Sequence, residues 1–249
     1  MSCIRQSFRA HRTLLFMAAL LILIPALLSV DLPAAQAATG TDFYSTFDTD
    51  SLGWNKVTGN WYLTGTGYYK CDGLADKYAS AKHSGTYTDF VFSTRLKRTS
   101  NAGPEVIVFA RGTPSPLSTN RNWDDAYELW YSSLFEDLSI VKRVNGFQLT
   151  LLGWTAIGVK SDDWNTIKVV MYDDILAFYV NGTLVYLNDD PSPIESGQVG
   201  IGLYDGGPGD KLLVNYAKLR IIPGFPSLSL RTLGLPSYSV PEGEPIQLR

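Results

Sequence analysis

Carboxylates are the residues of this sequence best suited to chemistry, and ten of the 24 come as adjacent pairs: Asp124-Asp125, Glu136-Asp137, Asp162-Asp163, Asp173-Asp174 and Asp189-Asp190. Neighbouring side chains on a strand point to opposite faces, so no such pair aims two carboxyl groups at one bond. Asp at a turn supports the local backbone, and that is the expected role of these pairs. Glu128 differs. It stands in Tyr127-Glu128-Leu129-Trp130-Tyr131, and a carboxyl beside apolar rings has its pKa raised, as a general acid requires. It is the candidate for a catalytic residue.

A binding site is easier to assemble, because a sugar is held by aromatic rings against its C–H faces and by planar polar groups at its hydroxyls. If Leu129 faces a core between Tyr127 and Tyr131, then Glu128 and Trp130 share the opposite face. Arg111 and Arg143 join them from neighbouring strands, and Trp123, in the loop from Thr119 to Asp125, closes over the group. Trp54, Trp61, Trp154 and Trp164 are expected in core or edge packing, where their bulk contributes most. His83 is the only histidine after residue 37 and Cys71 the only cysteine, which leaves no His and Cys set for zinc.

The elements that must position these residues are strands. Period-2 alternation recurs through the chain, and no stretch carries a helical repeat of useful length. In Asp89 to Arg98, Phe90, Phe92 and Leu96 share one face and Ser93, Arg95 and Lys97 the other, the pattern of a half-solvated strand. Glu105 to Arg111 is apolar on both faces and predicts a central strand. Leu176 to Leu187 flanks Asn181-Gly182, a dipeptide that accepts the positive φ values of a type I′ hairpin turn. Thr166 to Tyr172 precedes it across Asp173-Asp174, giving a three-strand meander. Asn181-Gly182-Thr183 also fits a glycosylation acceptor, but the turn accounts for it. Val199 to Tyr204 alternates bulky residues with glycine, so that another segment can approach one face closely, and a last strand runs from Leu212 to Ile222.

Arg5, Arg9 and Arg12 precede an apolar run from Leu14 to Val30, followed by Ala35-Gln36-Ala37, the pattern of an export signal over residues 1–37. The remainder is expected to be secreted, extracellular, periplasmic or at the cell surface, with no membrane span after cleavage. It carries 18 basic and 23 acidic residues, a net charge of about −5. No basic run follows residue 12, so nucleic acid is not an expected partner. One domain is expected over 38–224. Residues 225–249, rich in Pro, Ser and Leu, read either as a linker into a truncated further β-domain or as a tail.

Taken in order, several short patterns resemble the concanavalin A-like lectin/glucanase superfamily, in particular its laminin-G-like jelly rolls and the bacterial domains related to 3-keto-disaccharide hydrolases. They are Phe47-Asp48, Gly53-Trp54, Gly59-Asn60-Trp61, Tyr87 to Phe92 leading into Arg95, Val106 to Arg111, Tyr127-Glu128-Leu129, Leu138 to Arg143, Asp163 to Val169, Phe178 to Gly182 and Gly197 to Gly202. The resemblance covers about Asp42 to Ile222. It implies an all-β, two-sheet antiparallel jelly-roll sandwich and a lectin-like, carbohydrate-binding module, with a glycoside hydrolase and a protein-adhesion module as alternatives. The family's glucanases place Glu, Asp and Glu at alternating strand positions, and that motif is absent. Many members hold a structural calcium; the resemblance points to Asp48 and to Asn215, which stands where an Asp is common, with Asp210 as a substitute ligand.

Overall fold

The computed structural model describes residues 40–74, 77–99, 105–161, 163–205 and 211–223. The expected export signal, residues 225–249 and Asp210 lie outside them. The described chain is built of fifteen strands and no helix, arranged as two antiparallel sheets. The larger sheet has the order β13 (Thr183–Asp189), β12 (Ile175–Val180), β11 (Asn165–Tyr172), β6 (Phe90–Arg98), β15 (Lys211–Ile221), β4 (Tyr69–Asp72) and β3 (Asn60–Leu63), with β1 (Phe43–Ser45) also paired to β15. The smaller sheet runs β10 (Phe147–Thr155), β9 (Asp137–Val144), β8 (Trp123–Ser132), β7 (Val106–Leu117), β14 (Gln198–Asp205), β5 (Lys77–His83) and β2 (Trp54–Thr58).

Alternation decides which residues meet between the sheets. Phe90, Phe92 and Leu96 of β6 and Ile167, Val169 and Met171 of β11 face inward against Val106, Val108, Tyr127, Leu129 and Tyr131 of the other layer. Complete burial of each such side chain contributes roughly 1.5–3 kcal/mol. β7 is buried on both faces, as its sequence predicts: its other face, with Ile107 and Phe109, joins a second apolar cluster on the outside of the seven-stranded sheet. The strand is longer than the expectation, ending at Leu117.

The meander and hairpin form as read. Asn181 and Gly182 both have positive φ, 50° and 87°, and Asp173 turns the chain between β11 and β12 at φ 53°. The Asn181 side chain is consumed within the fold, its amide donating to Gly158 O and Asn165 Oδ1 and its oxygen accepting from Thr166 N. Two of the acidic pairs depart from the turn reading. Asp124 and Asp125 lie inside β8, and Asp190 is buried, accepting from Tyr127 Oη at 2.6 Å and Lys142 Nζ at 2.7 Å.

Candidate functional site

The outer face of the seven-stranded sheet collects most of the residues that the sequence singles out. Tyr127, Leu129 and Tyr131 point into the inter-sheet core, so Glu128 and Trp130 point outward together. Trp130 is half-buried and its indole donates to Glu128 Oε2 at 2.6 Å. From β9, where it pairs with Ala126, Arg143 donates through Nε to Glu128 Oε1 at 3.1 Å. Its other nitrogens reach Gly146 O at 3.1 Å and Gln148 Oε1 at 2.9 Å. Asn122 adds a donor to both Glu128 oxygens. Burial pushes the Glu128 carboxyl above its ordinary pKa, while the guanidinium and the two neutral donors pull it back down.

The network stops at an opening. Arg143 borders a pocket of about 400 Å³ that is walled by Lys77, Ser118, Thr119, Asn120 and Gly146, a volume within the range of small-ligand sites. Tyr78 lies edge-on to Trp130, with ring centroids 5.8 Å apart, and Tyr204 lies 4.8 Å from Tyr78, so a ring cluster adjoins the polar end of the face.

Trp123 lies on this face but beneath its surface. It belongs to β8 instead of the preceding loop, is fully buried, stacks on Phe109 with centroids 4.2 Å apart and donates to Ser80 Oγ at 3.0 Å. Gly200 and Gly202 make the room: a Cβ on Gly200 would meet the Trp123 ring, and one on Gly202 would meet Phe109. The glycine alternation in β14 therefore admits two aromatic rings where the sequence left open what would approach.

Arg111 is apart from the group. Register shifts between Ala110 and Thr113 of β7, and Arg111 itself has φ 46°, so the alternation that would have placed it beside Glu128 is broken. Its buried guanidinium donates to the carbonyls of Thr88, Asp173 and Ile194 at 2.8, 2.8 and 3.0 Å and to Asp89 Oδ1 at 3.3 Å. It ties the end of one sheet to turns of the other. Four residues that sequence reasoning missed complete the face: Asn122, Gln148, Tyr78 and Tyr204. A period-2 count from Phe109 and Glu128 would not have found them, because strand neighbours across the sheet are set by register, not by sequence distance.

Of the residues expected to hold calcium, Asp210 lies outside the described residues. Asp48 is exposed beyond β1, Asn215 is the extra residue at a bulge in β15, and no group of three acidic, His or Cys side chains that could hold a metal occurs among the described residues.

No family model matches the sequence, and no curated protein is similar to it in sequence. Solved structures are similar in fold. A carbohydrate-binding module, CBM66, from Bacillus subtilis superposes with a TM-score of 0.53 at 15% identity, over 68% of this chain and 95% of that one. A Bacillus licheniformis β-glucanase gives 0.58 at 15% identity, over 74% of this chain and 100% of the other. The carbohydrate recognition domain of Emp46p in its potassium-bound form gives 0.56 at 8% identity, over 72% and 95% of the two chains. The chain has the concanavalin A-like lectin/glucanase fold. Within that fold the side chains bonded to Glu128 are Asn122, Trp130 and Arg143, none of them a carboxylate.

Proposed function

We propose that this chain is an exported carbohydrate-binding module whose ligand sits on the outer face of the seven-stranded sheet, at Arg143 and Trp130. The observation that carries this reading is the pocket of about 400 Å³ bordered by a guanidinium already fixed in orientation by Glu128, Gln148 and Gly146. A planar donor held in place, with a half-buried ring bonded to the same carboxylate, matches a sugar's hydroxyls and C–H face, and its ordering cost is met before binding. Arg5, Arg9, Arg12 and the apolar run to Val30 support export. Similarity in fold to a carbohydrate-binding module and a carbohydrate recognition domain is consistent with it.

Hydrolysis is the weaker reading. A retaining mechanism needs two carboxyl groups about 5 Å apart and an inverting one about 6.5–9.5 Å, and Glu128 is engaged by a guanidinium, an indole and an amide instead. The test is a glycan-array screen of the chain lacking residues 1–37, with and without calcium, repeated with Trp130→Ala. Saturable binding to a defined glycan that is lost in the variant is the expected result. A folded chain that binds no glycan would overturn the proposal in favour of protein adhesion.

A further inference from the structure

The outer face of the other sheet has a different chemistry. Its three central strands, β11, β6 and β15, contain seven Lys and Arg and no Asp or Glu, in a chain whose net charge is −3. Arg98 points inward; the other six cations alternate outward. Register aligns one row across five strands: Tyr179 pairs with Lys168, Lys168 with Ser93, Ser93 with Lys218, and Lys218 with Tyr44. Lys168 and Lys218 are two strands apart, about 10 Å by strand spacing, which is the span of two sugar rings.

The row is organised, not merely solvated. Lys168 Nζ lies 3.7 Å from the Tyr179 ring centroid and Lys218 Nζ 5.6 Å from that of Tyr216, so each ammonium is steered by a ring while its remaining donors stay available. Tyr44, 66% exposed, meets Tyr216 edge-on at 6.2 Å. Beside the row the sheet and β1 form a groove of about 630 Å³, lined in part by Tyr44, Val91, Ser93, Lys218 and Arg220. The one carboxylate in its lining, Asp42, already accepts the Ile221 N–H at 2.7 Å.

We infer that this face is a second glycan-binding surface, selective for acidic polysaccharides whose carboxylates recur along the chain at the spacing of Lys168 and Lys218. Cations alternating with tyrosines match alternating anionic groups and sugar C–H faces, and one row of few charges against a net negative chain is unsuited to the dense charge of nucleic acid. The surface is separate from the Arg143 face and stands or falls independently of it.

The test is retention of the chain, purified after export, on immobilised polygalacturonate against neutral dextran, at rising salt. Binding that weakens with salt, falls about tenfold or more in Lys168→Glu/Lys218→Glu and is unchanged in Trp130→Ala is expected. Arg220→Glu, a single change at an exposed position, gives a smaller loss and serves if the double variant does not fold. Retention that ignores both variants, equal affinity for single-stranded DNA, or equal affinity for vesicles of anionic phospholipid would each overturn the inference. An unaltered chain that binds no glycan of the array but is retained on polygalacturonate, with that retention lost in the lysine variant, would overturn the Arg143 proposal alone.

Discussion

The two outer faces of the sandwich obey the same alternation rule and end in opposite states. On the seven-stranded sheet Trp123, Phe109 and Glu128 of the outward face have no exposed surface, and Glu128 is held in a charged network beside an apolar cluster. On the eight-stranded sheet Arg95, Lys97, Lys168, Lys218 and Arg220, outward on β6, β11 and β15, remain accessible to solvent. The difference comes from small residues and from one loop. Gly200, Gly202 and Gly112 let the rings lie flat on the first face, and Asn120 of the loop before β8 accepts the Tyr78 N–H, drawing that loop over it. The second face has no such glycine track on its central strands. A buried charge network fixes geometry at a cost in solvation; an exposed row retains flexibility and screening.

The sharpest way to break this contrast is to remove the buried carboxylate. Glu128→Leu leaves the Arg143 guanidinium buried without its anion, and a loss of about 3–5 kcal/mol is expected from urea unfolding; Glu128→Gln, which keeps an acceptor, loses less. His83 gives a second measure of buried polarity. Its ring stacks on Phe43 with centroids 3.8 Å apart and shares a 2.7 Å hydrogen bond with Tyr87, and burial lowers its pKa from 6.5 to about 4. The folded state therefore binds fewer protons than the unfolded one. This stability is present in full above pH 6.5 and is lost as pH falls to about 4, on the order of 3 kcal/mol in all. Thermal unfolding across that range should show the decline, and His83→Phe should flatten it.

Smaller effects separate the faces further. Gly200→Ala pushes a methyl group into the Trp123 ring and is expected to cost about 1–3 kcal/mol, lowering the unfolding midpoint by several degrees. Lys168→Ala and Lys218→Ala, on the open face, should each change stability by no more than about 0.5 kcal/mol in the same assay. A large loss in either lysine variant would show that the second face is as tightly packed as the first.

How much was legible follows the range of each signal. Phe90, Phe92 and Leu96 declared their face through spacing alone, and Asn181-Gly182 declared its turn, because both depend on contacts a few residues away. The pairing of Glu128 and Trp130 on one face was equally readable once Leu129 was placed inside. The joining of Arg143 to Glu128 across the β8 and β9 pair is readable as well, and there Glu128 Oε1 accepts from Arg143 Nε while Gln148 Oε1 accepts from a terminal guanidinium nitrogen.

Arg111 and Trp123 mark the limit. Arg111 sits at a bulge, and one extra residue in a strand turns the side chain to the other side, a displacement that composition does not encode. The sequence reading places Trp123 in a loop, yet it lies in β8 and the glycines that make its bed lie on β14, about eighty residues on. The sequence by itself determined the strands, the inward faces and the hairpin, since these rest on period-2 alternation and local φ preferences. Only the tertiary structure decided which outward residues are buried and which remain in water, because that depends on register between strands distant in the chain and on the glycines that let one layer lie against another.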